Sequence, residues 1–206
     1  MAVHYTGALE DVDEVRARII NAIDRPIEQL SITDICQAAN ITKQTFYSRF
    51  SSKYDIANWY CMQSEKQTLY QIGRTLSWED GVLAHFSAIS KQSKLLRWTS
   101  FNGEKDTGEA TKVRHRTALL ETLEDYRGVV VDQRLKFLIE AYLEMEIYLS
   151  GEWFRTGCNP SAEVFASYYL DCIPTKLYNA LQLPKEGSLQ DVQDPDEPFS
   201  RFYPKK

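Results

Sequence analysis

The sequence predicts an all-α protein. Three observations lead there. Apolar residues recur at three- and four-residue spacing over most of the 206 residues. Alternating strand-like runs joined by Asn-Gly or Asp-Gly turns do not recur. Most of the nine glycines and seven prolines sit between the periodic segments. At about 150 residues per domain, the length suggests roughly one to two domains.

The first helix spans about Asp13 to Asp24, with Val15, Ile19, Ala22 and Ile23 on one face and Arg25-Pro26 ending it. A short second helix runs from Ser31 to Ala39 and a third from Lys43 to Phe50. A longer fourth starts near Lys53 and carries Ile56, Trp59, Tyr60, Gln63 and Leu69. Trp78 to Ser90 and Gln92 to Phe101 are moderately apolar helices, and Asn102 to Gly108 reads as a loop. Glu109 to Tyr126 turns Leu119, Leu120 and Leu123 inward, and Val130 to Phe154 is strongly apolar along Leu135, Leu138, Ile139, Tyr142, Leu143 and Leu149. Ser161 is placed to cap the last helix, whose apolar pairs run from Val164/Phe165 to Ala180/Leu181, and Pro174 should bend it. The tail from Pro184, rich in proline and acids, is expected to be mobile or loosely docked. About nine helices result, in an N-terminal helix-turn-helix domain (1–55), a helical body (56–183) and a tail (184–206).

A hydrophobic fraction of 43% and a charged fraction of 26% are ordinary for a soluble globular chain. No apolar run approaches the roughly 18 residues of a membrane span, and the N-terminus lacks a secretory pattern. Cys36, Cys61, Cys158 and Cys172 are far apart and form no CxxC, which reads as reduced thiols in the cytoplasm. His4, His85 and His115 offer no zinc spacing, so no metal and no cofactor are expected. A Gly-rich phosphate loop, a GxSxG elbow and a paired His-carboxylate spacing are missing too, so the reading is not an enzyme. The net charge of −5 excludes a generally basic nucleic-acid coat but leaves room for a local basic patch.

The informative stretch is Ser31 to Ile56, SITDICQAANITKQTFYSRFSSKYDI. Ser31 and Asp34 fit a loose capping box, and Ile35, Ala38 and Ala39 give the second helix an inward face with small residues. Asn40 stands where the turn needs a positive φ, Ile41 plugs the corner, and Thr42 caps the third helix. Phe46 and Phe50, four apart, lay two rings on the buried side of that helix. Outside remain Lys43, Gln44, Thr45, Tyr47, Ser48 and Arg49, all hydrogen-bond formers. A short helix so divided suits a DNA major groove, as the second helix of a helix-turn-helix unit. Charge agrees: Ile35 to Tyr54 holds Lys43, Arg49 and Lys53 and no acid, the local field that phosphate binding needs.

This stretch resembles the DNA-binding domain of TetR-family transcriptional regulators. The matching pieces are Ser31-Ile32-Thr33-Asp34-Ile35-Cys36, Ala38-Ala39-Asn40-Ile41-Thr42-Lys43 and Thr45 to Asp55, with a Thr-Phe-Tyr-x-x-Phe-x-x-Lys core. The resemblance spans roughly residues 13 to 60; the rest matches only in layout. It implies that Thr33 touches DNA, that Lys43, Gln44 and Thr45 begin the base-reading helix, that Tyr47 and Lys53 clamp phosphates, and that Ser48 and Arg49 face DNA. Arg49 stands where many relatives carry His, Ile27 replaces a usual aromatic, Asn40 replaces a common Gly, and the stretch between the first two helices is short. Physically, Gln44 suits adenine N6/N7 and Lys43 guanine O6/N7.

The resemblance also implies a homodimer through the last two helices, with Leu143, Leu149, Tyr168 and Tyr169 near the shared surface, on a pseudo-palindromic double-stranded operator. It implies a small-molecule effector in the helical body, with Trp78, Trp98, Tyr126, Tyr142 and His115 as candidate wall residues. His115 lies in the basic run Arg114-His115-Arg116, which reads as exposed. The resulting reading is a repressor released by such an effector. The alternative is a coactivator of the same fold controlled by a partner protein.

Overall fold

Helix ends in the computed structural model fall where side chains or turns replace the backbone partners a helix lacks. The structure describes residues 14–96 and 105–183. Among them are ten α-helices and no strand: α1 (Glu14–Asn21), α2 (Ile32–Ala38), α3 (Lys43–Tyr47), α4 (Asp55–Gln67), α5 (Trp78–Ser90), α6 (Ser93–Leu96), α7 (Lys105–Glu121), α8 (Gln133–Arg155), α9 (Ala162–Asp171) and α10 (Thr175–Leu181).

Several boundaries differ from the sequence reading, each for a local reason. After α1 the chain makes a 3-10 turn at Ile27–Gln29, which sends Ile27 wholly into the core. Helix α7 begins inside the expected loop, at Lys105; Asn102 to Glu104, the end of the sixth helix beyond Leu96, Trp98 and the tail from Pro184 lie outside the described residues. Beyond Glu121 the helix widens into a π turn, Thr122–Tyr126. Thr122 Oγ1 donates to Ala118 O (2.7 Å) and Arg74 Nη2 reaches the same carbonyl (3.4 Å). Side chains thus serve the acceptor that an α-helical amide would take.

Helix α8 starts at Gln133 because the Asp132 carboxylate accepts from Leu135 N at 2.7 Å. Pro174, which has no amide hydrogen, divides the expected last helix into α9 and α10 rather than bending it, hence ten helices. Ser161 occupies the cap position of α9 without a side-chain capping bond.

The first four helices share a core in which Ile19, Ile27, Ile35, Phe46 and Ile56 are all 0% exposed. Burying each such side chain is worth about 1.5–3 kcal/mol. Helix α4 leaves this core and enters the helical body, where Tyr60 Oη donates to Ala88 O (3.1 Å). Lys94 of α6 donates back to Asp24 O at 2.7 Å. In the body, α5 lies along α9. Phe86 meets the edges of Trp153, Phe165 and Tyr169 at centroid distances of 5.3, 4.7 and 5.1 Å. Each such pair adds about 0.5–1.5 kcal/mol beyond its buried area. Gly81 lets α5 approach closely, since a Cβ there would sit 2.4 Å from Ile72 Cγ1.

Tyr169 and Leu143 belong to this core, each 0% exposed, and not to an outer surface. The apolar periodicity marked them correctly as buried but could not say against what. Leu149 is half-buried against the same core. Tyr168, by contrast, is 58% exposed, as are Tyr148 (67%) and Val164 (40%) to comparable degrees.

Candidate nucleic-acid interface and the buried cluster behind it

The α2–α3 pair is built by local bonds that the sequence dictates. Ser31 Oγ accepts from Asp34 N (3.1 Å) while Ser31 N donates to Asp34 Oδ2 (2.9 Å), a reciprocal capping box. These bonds hold the exposed Asp34 carboxyl below its usual range. At the other end Asn40 has φ 52°. Ile41 N donates to Cys36 O (2.9 Å) and Asn40 N to Gln37 O (3.2 Å), a Schellman closure made without glycine. Thr42 Oγ1 then accepts from Thr45 N at 3.0 Å and starts α3.

Helix α3 is shorter than expected. Its regular part ends at Tyr47, and Ser48 and Arg49 continue it as a hydrogen-bonded turn to Phe50. Phe46 (0%) and Phe50 (4%) form its underside, 6.0 Å apart, with Trp59 closing on Phe50 at 6.1 Å. Lys43, Gln44, Tyr47, Ser48 and Arg49 are exposed and Thr45 is half-exposed. Tyr47 stands on the Phe46 edge with 54% of its surface free. Thr33 is exposed in the first turn of α2. Ser48 Oγ donates to Thr45 O (2.7 Å) and accepts from Arg49 Nη1 (3.3 Å), which orients the guanidinium.

Lys53 is placed differently from the other seven candidates. Its ammonium donates to Leu30 O (2.7 Å) and Glu28 O (3.1 Å) and sits 5.1 Å from the centre of the Tyr54 ring. It therefore tethers the strand of chain before α2 to the start of α4. Ser51 N and Ser52 N both donate to Asp55 Oδ2, at 2.9 and 3.0 Å, so α3 is joined rigidly to α4.

Behind this surface lies a cluster that sequence reading missed. His115 is not exposed: it is 6% exposed, with Nδ1 2.7 Å from Glu146 Oε2 and Nε2 3.2 Å from Glu65 Oε2. It thus joins α4, α7 and α8. The basic neighbours Arg114 and Arg116 suggested a solvated face, but His115 lies four residues before Leu119 on the buried side of α7. Burial pushes the His115 imidazole down, yet Glu146 and Glu65 together overcome it and raise its pKa to about 10. Burial likewise pushes Glu65 up, and His115, Arg114 and His85 bring it down to about 2. His85, buried beside Ser64 and Thr68, is driven down to about 4 by loss of solvent and is neutral at pH 7.

The cluster forms one wall of a cleft with Tyr70, Trp78, Thr122 and Tyr142. The cleft encloses about 310 Å³ of empty space, its open mouth included, and the room for the centre of a water-sized sphere is about 20 Å³. That admits about one water. Of the residues expected to line a pocket, Trp78, Tyr142 and His115 do so, whereas Tyr126 instead lies under the Arg74 guanidinium at 4.3 Å. Among the described residues no group of His, Cys, Asp and Glu could hold a metal ion. Nor is any helix there long and apolar enough to cross a membrane.

Comparison with known proteins accords with the helix-turn-helix geometry. The family model described as bacterial regulatory proteins, tetR family, matches residues 22–58, a span that holds all eight candidate DNA-facing residues. No curated protein matches the chain.

Proposed function

We propose that the chain is a TetR-like DNA-binding transcriptional regulator that acts as a repressor, seated as a homodimer on a pseudo-palindromic operator and released by a small molecule. The observation that carries this reading is the polar outer face of α3, mounted on Phe46 and Phe50 in a stretch without acids. In it residues 1–55 read the operator, residues 56–183 form the body that dimerises and holds the effector, and residues 184–206 are a tail.

Lys43 and Gln44 meet base edges with Thr45 beside them, and Tyr47, Ser48, Arg49 and Thr33 hold the flanking phosphates. Lys53 acts mainly by fixing the approach of α2, with its third N–H turned to a phosphate. Exposed Tyr148 on α8 and Tyr168 and Val164 on α9 supply the apolar surface for a two-fold partner, which would set the two reading helices about 34–36 Å apart. Occupancy of the operator excludes other proteins from it. An effector reverses this only by binding the DNA-incompetent arrangement more tightly. A small-molecule input requires the cleft in the body, which has room for about one water, to open.

Salt dependence tests the DNA-binding part. A dimer brings Arg49 and Lys53 to phosphates twice, so the logarithm of affinity for a promoter fragment should fall with the logarithm of salt at a slope of about −3.6. Gel shifts across salt concentrations measure it. A slope near zero, or no binding at low salt, contradicts the reading.

A further inference from the structure

We infer that Glu65 is a positioning residue for the reading head: held by His115 and Arg114, its carboxylate fixes the direction in which α4 leaves the body, and so the separation of the two reading helices in a dimer. The consequence at the operator, and only that, rests on the proposed reading.

Helix α4 belongs to both parts of the chain. Its first turns bury Ile56, Ala57 and Tyr60. Glu65 lies farther along, about 13 Å beyond Ile56 at 1.5 Å of rise per residue. A helix held at one point can swing about it; held at two, it has one direction. Tyr60 Oη gives the first hold, on Ala88 O (3.1 Å). Glu65 gives the second, more than one helical turn away.

The second hold is the firmer. Glu65 is 4% exposed. Its Oε2 lies 3.2 Å from His115 Nε2 and 3.6 Å from Arg114 Nη2, and it accepts from Tyr70 Oη at 3.2 Å. A carboxylate out of water has no solvent to replace a partner it gives up, so α4 cannot swing there without leaving a buried charge unmatched. The exposed bond from Lys94 to Asp24 O, by contrast, can be exchanged for one to water at little cost.

The hold also reaches across the body. His115 Nδ1 is 2.7 Å from Glu146 Oε2, and Glu146 Oε1 accepts from Tyr169 Oη (3.1 Å) and Tyr142 Oη (3.4 Å). One buried chain of polar contacts thus runs from α4 through α7 and α8 to α9. The same α8 and α9 carry Tyr148 and Tyr168 on their outer sides. The surface offered to a two-fold partner and the residue that directs α4 are therefore parts of one connected frame.

Glu65→Gln tests this, because it removes the charge at nearly constant size and leaves His115 matched by Glu146. The probes are the operator recovered by selection from random duplexes, the same operator with its half-sites moved together or apart by about two base pairs, and a single half-site. Wild type should prefer the native spacing at least tenfold. Glu65→Gln should bind the native operator at least tenfold more weakly and prefer its spacing less than threefold, yet bind the single half-site within twofold of wild type. Damage to the head itself would weaken the half-site as well. Trp153→Phe, a core change that leaves all these polar contacts in place, should keep the spacing preference. Hydrogen exchange gives a readout without DNA: amides 61–67 should exchange at least tenfold faster in Glu65→Gln, with those of α2 and α9 unchanged. If that variant fails to fold, Arg114→Gln, which removes the half-exposed partner, should give the same changes at threefold or more. A folded variant with wild-type spacing preference, with unchanged exchange at 61–67, or with an equal loss at the half-site overturns the inference. A wild type that binds none of the duplexes sinks the operator reading instead, and the exchange result then decides the hold on α4 by itself.

Discussion

Replacing His115 by leucine is expected to lower the melting temperature by about 10 °C near neutral pH. The substitution removes the one cation that lies between Glu65 and Glu146, whose side chains are 5% and 4% exposed. Removing one partner of a buried ion pair costs about 3–5 kcal/mol, because the survivor is left charged and unsolvated. For a chain of this size each kcal/mol shifts the midpoint by about 2–4 °C.

The pH dependence gives a second signature. His115 has its pKa raised to about 10 in the folded protein from 6.5. Its contribution is therefore complete below pH 6.5 and is lost as pH rises from there through about 10. The gap between wild type and His115→Leu should narrow between pH 8 and pH 10. Scanning calorimetry at several pH values checks both. A variant as stable as wild type, or a gap that does not change with pH, would show that His115 is not the charged link between the three helices.

Changing Lys43 to alanine and Tyr47 to phenylalanine together should weaken operator binding by about 100-fold or more, since each good contact to DNA is worth about 1–3 kcal/mol. Stability should stay within about 0.5 kcal/mol of wild type, because both side chains are exposed and neither supports the core. Gel shifts and thermal melts on one preparation check the pair of outcomes. Unchanged affinity would mean that α3 does not face DNA. Loss of folding would mean that its outer face had been misassigned.

The legibility of this protein in its sequence follows the range of the forces involved. Bonds between near neighbours were readable: the Ser31–Asp34 box, the positive φ of Asn40, the Thr42 cap and the four-residue spacing of Phe46 and Phe50 all involve residues close in the chain. The polar face of α3 followed from the same spacing. What failed to appear depends on distant partners. Lys53 reads as a phosphate clamp until the Glu28 and Leu30 carbonyls are found beside it. His115 reads as exposed until Glu65 and Glu146 arrive from two other helices.

A local signal for the cluster did exist. Glu146 lies on the buried row of α8 with Ile139, Tyr142 and Trp153, and His115 on that of α7 with Ala118, a row that Thr122 continues into the π turn. A charged residue on an apolar row marks a buried pair when it is weighed by its position on the helix and not by its charged neighbours. The split at Pro174 and the π turn at Thr122 were harder to see. The first turns on whether a proline bends or ends a helix, and the second on Arg74, 48 residues away in sequence.

Selection of bound fragments from a random pool of duplex DNA tests the central claim most directly, because it reports binding, sequence and symmetry at once. The account predicts enrichment of one inverted-repeat site whose half-sites lie about one helical turn apart, or a little more, and whose conserved bases lose their preference when Gln44 and Lys43 are changed to alanine. No enrichment, or an enriched site without two-fold symmetry that is indifferent to those substitutions, would contradict it.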